Sequence, residues 1–97
     1  MSRVVLVVGD SLSAGYGLEL GQSWTDLLQQ RFTEHGHDAR VVNASISGET
    51  TAGGLARLPA LLREHKPAVV VLELGANDGL RGLPLEELRA NLRAMLD

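Results

Sequence analysis

Val4-Val5-Leu6-Val7-Val8, followed at once by Gly9-Asp10-Ser11-Leu12, is the stretch that decides the fold. Five apolar residues in a row, four of them β-branched, suit a strand buried on both faces, because an amphipathic strand would alternate. The run stops at a glycine and a polar turn, so the strand delivers an aspartate and a serine to its C-terminal end. Further along, Ser23 and Asp26 have the S-x-x-D spacing of a helix start. Trp24, Leu27, Leu28 and Phe32 then recur at helical spacing, and Gly36 is suited to a left-handed stop.

The pattern repeats twice more. Arg40-Val41-Val42 is a short strand, less apolar and therefore expected at a sheet edge, and Asn43 to Gly54 reads as loop. Leu55, Leu58, Leu61 and Leu62 predict a second helix, in which Pro59 either makes a kink or begins the main part. Pro67 ends it ahead of a third strand over Ala68–Leu74. Gly75 to Leu83 again reads as loop, and Pro84 as the first residue of a third helix. Glu86 and Glu87 favour its first turn, Arg89 and Arg93 follow, and Leu85, Leu88, Leu92, Met95 and Leu96 form its apolar stripe. The β-α-β-α-β-α order predicts a single domain over 1–97, an α/β unit with a parallel sheet and helices on both faces. In such sheets, ligands bind beyond the C-terminal strand ends. All three strand ends here run into polar, glycine-containing loops.

Composition narrows the function classes. The chain has 97 residues, 44% hydrophobic and 22% charged, with a formal net charge of −3. Its nine basic residues are scattered singly, unlike a nucleic-acid footprint. No apolar run approaches the roughly 18 residues of a membrane span. Without cysteine, disulfides, thiolate catalysis and cysteine-ligated zinc are excluded. The carboxylates do not cluster with histidine at ligand spacing, so no metal and no cofactor is expected. Met1-Ser2-Arg3 leads straight into the first strand with no small-residue cleavage site. An exported chain whose leader had been removed would look the same.

Each loop admits two readings. Ser11 either presents its hydroxyl at the sheet rim, backed by main-chain N–H groups, or caps a short helix. A phosphate-binding loop is a third possibility there, but neither G-x-G-x-x-G nor G-x-x-x-x-G-K-[ST] is present and no lysine lies near. Gly48, in Asn43-Ala44-Ser45-Ile46-Ser47-Gly48, either makes a turn or lets its N–H approach a ligand closely. Asn77-Asp78, between Gly75 and Gly79, forms an Asx-turn or offers the Asn77 amide to a developing negative charge.

Together the three loops resemble the SGNH, or GDSL-type, serine hydrolase family. Gly9-Asp10-Ser11-Leu12 carries its Gly-Asp-Ser-Leu block, Gly48 stands at the glycine of the second block, and Gly75-Ala76-Asn77-Asp78 matches its Gly-x-Asn-Asp. The flanking Asn43–Gly48 and Leu55-Ala56-Arg57-Leu58-Pro59 are similar to the bacterial acyl-thioesterase/lysophospholipase/protease, arylesterase-like branch. The resemblance implies a flavodoxin-like sheet with strand order 2-1-3. It implies that Ser11 is the nucleophile toward an ester or thioester carbonyl, and that the Ser11 and Gly48 N–H groups and the Asn77 carboxamide form the oxyanion hole. Asp10 and Asp78 match family positions as loop-holding residues. Leu80, Leu83 and Tyr16-Gly17-Leu18 either line an acyl groove or simply pack.

The same resemblance calls for an Asp-x-x-His block near the C-terminus, which this sequence lacks. His35, His37 and His65 fall at predicted helix C-termini, the far end from Ser11. The chain therefore reads as the N-terminal portion of a hydrolase whose two further strands are absent. Losing the histidine of a serine triad costs about 10⁶ in turnover, so the isolated chain is expected to be nearly inactive. The third strand is expected to present an apolar edge and to drive self-association. Relatives in this branch are commonly periplasmic. Two other readings stand beside a hydrolase of small acyl esters: a non-catalytic module binding an acyl or glycan ligand or a partner chain, and a nucleotide- or phosphate-binding domain.

Overall fold

The computed structural model describes residues 3–15, 17 and 21–96. Three strands, β1 (Arg3–Gly9), β2 (Ala39–Asn43) and β3 (Val69–Glu73), form a parallel sheet in the order β2-β1-β3. The Val4–Val8 run is the central strand: Leu6, Val7 and Val8 are fully buried because β1 is paired on both sides and covered on both faces. The helices are α1 (Ser11–Ala14), α2 (Trp24–Glu34), α3 (Thr51–His65), α4 (Ala76–Leu80) and α5 (Leu85–Leu96). The chain steps from β1 to β2 through α2, then back across β1 to β3 through α3. Right-handed crossovers in opposite directions put α2 and α3 on opposite faces. Leu6 and Val8 point to the face where Leu58 of α3 and Met95 of α5 complete the core, with Val42, Leu72, Leu74 and Leu92 around them.

Several local expectations are corrected. The loop expected over Asn43–Gly54 gives way at Thr51 to a continuous helix through Pro59, its N-terminus capped by the Thr50 hydroxyl, which accepts from Gly53 N at 3.3 Å. At Gly53 and Gly54 neighbours occupy the space a side chain would need: a Cβ would run into the Glu49 carboxyl at Gly53 and into Leu74 at Gly54. The loop expected over Gly75–Leu83 contains α4, and α5 begins at Leu85, with Pro84 just outside it accepting from Leu88 N. The apolar stripes are less buried than their spacing suggests. Trp24, Leu27, Leu62, Leu85 and Leu96 remain exposed, and in α2 the buried residue is Thr25.

The two sheet edges are finished differently. Along β2, the Gln29 carboxamide of α2 imitates a strand, donating to the Ala39 carbonyl at 3.0 Å and accepting from Val41 N at 2.7 Å. β3 pairs only with β1 among the described residues, and Val69 and Val70 are 52% and 37% exposed.

Candidate functional site

The three polar loops meet at the C-terminal end of the sheet. β1 delivers Gly9-Asp10, and the Asp10 side chain accepts from Leu12 N at 3.0 Å, capping α1. Asp10, 1% exposed, is therefore the cap, and Ser11 is the first helical residue. This corrects the reading in which Ser11 itself does the capping. As the first residue of so short a helix, Ser11 keeps an N–H with no partner inside it, and its side chain is half-buried.

The second loop is stitched to the first by Ile46 N on the Gly9 carbonyl at 3.0 Å and by Asn43 Nδ2 on the Ser13 carbonyl at 2.6 Å. Gly48 has φ +84°, a conformation open to glycine at little cost. Arg81 Nη2 donates to its carbonyl at 3.0 Å, and no hydrogen bond occupies its N–H among the described residues. Arg57 of α3 holds the same loop from behind: Nε pairs with Glu49 at 2.7 Å and Nη1 donates to the Ala44 carbonyl at 2.9 Å. Its Nη2 and the Ser45 hydroxyl are buried without a partner.

The third loop closes onto the second. Asn77 Nδ2 donates to the Glu49 carbonyl at 3.0 Å. A carboxamide nitrogen carries two hydrogens, so one remains. Asp78, 2% exposed, accepts from Thr51 N at 2.8 Å and from Thr51 Oγ1 at 2.6 Å, tying α4 to the start of α3. Of the two readings given for this pair, the Asx-turn is not seen among the described residues: both side chains bond other segments. Asp10 bonds within the Ser11 turn and Asp78 bonds the start of α3.

The Ser11 turn is also held by a residue outside the three motif blocks. Glu73 Oε1, at the end of β3, accepts from Ser13 Oγ at 2.8 Å and from Asp10 N at 3.4 Å. Ser13 Oγ in turn accepts from Trp24 Nε1 at 3.0 Å. Burial, above all, pushes the Glu73 carboxyl above its ordinary value of 4.5; the Asp10 side chain pushes the same way, while the bonds from Ser13 and Asp10 N oppose. The sequence did hold a signal, since a lone acid interrupts the apolar Val69–Leu74 run.

The sequence-derived residues are not all drawn together. Among the described residues, no hydrogen bond links the Ser11 hydroxyl to Gly48 or Asn77; the three segments are joined through their neighbours. His35 caps the C-terminus of α2, His65 ends α3, and His37 lines a cavity with Arg3 and Asp38 at the strand starts. All three imidazoles lie at the end of the sheet opposite Ser11. Leu80 is 84% exposed and Leu83 is exposed too, while Tyr16 and Leu18 lie outside the described residues. Among the described residues, no helix is long and apolar enough to cross a membrane, and no group of three or more acidic or histidine side chains is placed to hold a metal.

Comparison with known proteins agrees with this layout. Residues 7–97 match the model of the GDSL-like Lipase/Acylhydrolase family. The chain is 62% identical over 94 residues to Esterase TesA of Pseudomonas aeruginosa, a match covering 97% of this chain and 47% of that protein. It is 49% identical over 92 residues to Thioesterase 1/protease 1/lysophospholipase L1 of Escherichia coli K12, covering 95% and 43%. The crystal structure of TesA superposes with a TM-score of 0.93 at 62% identity, over 96% of this chain and 52% of that one. The chain spans about half the length of the curated relatives it matches.

Proposed function

The chain belongs to the GDSL-like lipase/acylhydrolase family, and from that premise we propose that it carries the nucleophile and oxyanion-binding part of a serine hydrolase of small carboxylic esters and thioesters. In this reading the Ser11 hydroxyl attacks the substrate carbonyl, the carbonyl oxygen takes up negative charge, and expulsion of the alcohol or thiol leaves an acyl-serine for water to cleave. The N–H groups of Ser11 and Gly48 and the second Asn77 hydrogen stabilise the charged oxygen. They are useful because they are already aimed when the charge develops. The observation that carries the reading is the mutual stitching of the three strand-end loops. Gly48 is gripped by Arg81 and its successor Glu49 by Asn77, while the Ser11 turn is bonded to both neighbouring strand ends.

A fluorophosphonate probe tests it. The expected result is a single adduct on Ser11, absent in Ser11→Ala, whose unfolding temperature stays at the wild-type value. Labelling elsewhere, or none in a polypeptide of the relatives' length, overturns the assignment. The three distant histidines support a narrower statement about these 97 residues by themselves. None of the three imidazoles stands beside Ser11, so the isolated chain turns over esters at a small fraction of the rate of its longer relatives. Rapid turnover by the isolated chain, abolished by Ser11→Ala, is the contrary result. We also infer that the isolated chain self-associates along the outer edge of β3, where Val69 and Val70 stand exposed.

A further inference from the structure

Glu73 is a charged group in an expensive place. A leucine or valine would continue the β3 run without any desolvation cost, whereas a carboxylate at a half-buried strand end must be compensated by donors. The donors it collects are specific. Trp24 Nε1 can only donate, so Ser13 Oγ is an acceptor on that side. The one hydrogen of the Ser13 hydroxyl then goes to Glu73 Oε1, 2.8 Å away. The same oxygen takes Asp10 N–H. The two groups held belong to Asp10 and Ser13, which bracket Ser11 at the start of a helix of only four residues.

Gly9 belongs to the same arrangement. A Cβ there would lie 2.8 Å from Ser13 Oγ and 3.0 Å from Glu73 Oε1, so the glycine leaves the room in which acid and hydroxyl meet. A four-residue helix has too few internal bonds to hold its own orientation. Its position is set from outside, by Asn43 from β2 and by Glu73 from β3.

We propose that Glu73 is a positioning residue for the nucleophile: by accepting from Asp10 N–H and the Ser13 hydroxyl, it clamps the turn that aims Ser11 at the substrate carbonyl. This rests on the reading of Ser11 as the nucleophile. The carboxylate does not touch the reacting atoms and takes no proton from Ser11. It fixes where Oγ stands relative to the donors on the two neighbouring loops. A misplacement of about 1 Å can cost on the order of a hundredfold in rate, so the leverage is large. Glu73→Gln retains an acceptor oxygen in the same position, whereas Glu73→Ala retains none.

The test uses the gene product at its natural length and a fluorophosphonate as probe, with amide hydrogen exchange as a readout independent of activity. Glu73→Ala is expected to slow Ser11 labelling by about ten- to a hundredfold. The loss should fall on the maximal inactivation rate and not on the probe concentration giving half of it, and exchange at Asp10 and Leu12 should accelerate. Glu73→Gln is expected to recover labelling to within about threefold of wild type, because the acceptor is kept. A folded Glu73→Ala protein that labels at the wild-type rate overturns the proposal, as does a Glu73→Gln protein as slow as Glu73→Ala. If Glu73→Ala does not fold, Ser13→Ala decides: slowed labelling supports the clamp and an unchanged rate overturns it. Wild-type protein that takes no label at Ser11, while Glu73→Ala still accelerates exchange at Asp10, locates the failure in the nucleophile assignment.

Discussion

Removing the carboxylate of Asp78 is the sharpest test of how the third loop is held. The side chain is 2% exposed and accepts two hydrogen bonds from one residue, Thr51 N at 2.8 Å and Thr51 Oγ1 at 2.6 Å. Thr51 is fully buried, and its hydroxyl also accepts from Asn91 Nδ2 of α5 at 3.1 Å. Hydrogen bonds to a charged acceptor contribute about 1.5–3 kcal/mol each. Asp78→Ala loses two of them and strands two buried donors, while relieving the cost of burying the charge. The net expectation is a loss of about 3 kcal/mol, a large share of the roughly 5–15 kcal/mol that holds a domain together. At about 4–8 °C per kcal/mol for a domain of this size, the melting temperature should fall by about 12–24 °C.

Thr51→Val removes only the hydroxyl and should cost about 2 kcal/mol. In the double variant part of this loss is already incurred, so its cost should fall short of the sum by roughly 1–2 kcal/mol. Urea unfolding followed by circular dichroism measures all three variants. A loss below about 1 kcal/mol for Asp78→Ala, or strict additivity in the cycle, would refute the account of a buried acid fixed by Thr51. The outcome bears on function because Asp78 follows Asn77 directly. The bonds that anchor α4 to α3 also determine where the Asn77 carboxamide can reach.

Glu73 makes a prediction of unusual sign. Its folded-state carboxyl titrates above the ordinary 4.5, so its contribution to stability is fully present below that value and is lost as pH rises through the folded value. Glu73→Gln should therefore melt at or above the wild-type temperature at about pH 7, with the gap closing toward about pH 4; thermal melts across that range would show the opposite trend if burial does not dominate. Gly48→Ala makes only an ordinary contact, with Arg81 Nη2 at 3.7 Å, so its cost comes from φ +84° and should be about 1–2 kcal/mol by chemical denaturation. Val69→Lys, which sets a charge on the bare edge of β3, should shift the isolated chain toward monomer in sedimentation equilibrium; a monomer at every concentration before substitution defeats that inference.

The central strand and the order of elements were legible because Val4–Val8 is a five-residue apolar run, four of its residues β-branched, ending in glycine and a polar turn. The capping serine of α2 was legible too, since Ser23 lies three residues before Asp26 and accepts from its N–H. The start of α3 was not. Gly53 and Gly54 signal a turn to any local reading, and only the packed structure puts Glu49 and Leu74 where their side chains would have gone. The identity of the cap at α1 was hidden for a similar reason, because Asp10 and Ser11 are both good capping residues and the chain path decides between them. Ser11, Gly48 and Asn77 stood out as motif residues, whereas Glu73, Ser13 and Arg57 did not. Their partners lie 60, 60 and 8 positions away in the chain, and no short pattern records such pairings.

The Gln29 carboxamide seated on β2 bears on the self-association inferred for the isolated chain. Two copies joined through β3 would form one continuous ribbon with a plugged strand at either rim. At each rim the Ala39 carbonyl and the Val41 N–H would already be taken, which leaves a third copy an interrupted ladder. On the self-association inferred above, a closed two-fold pair is therefore the expected form, and a fibre the less favoured one.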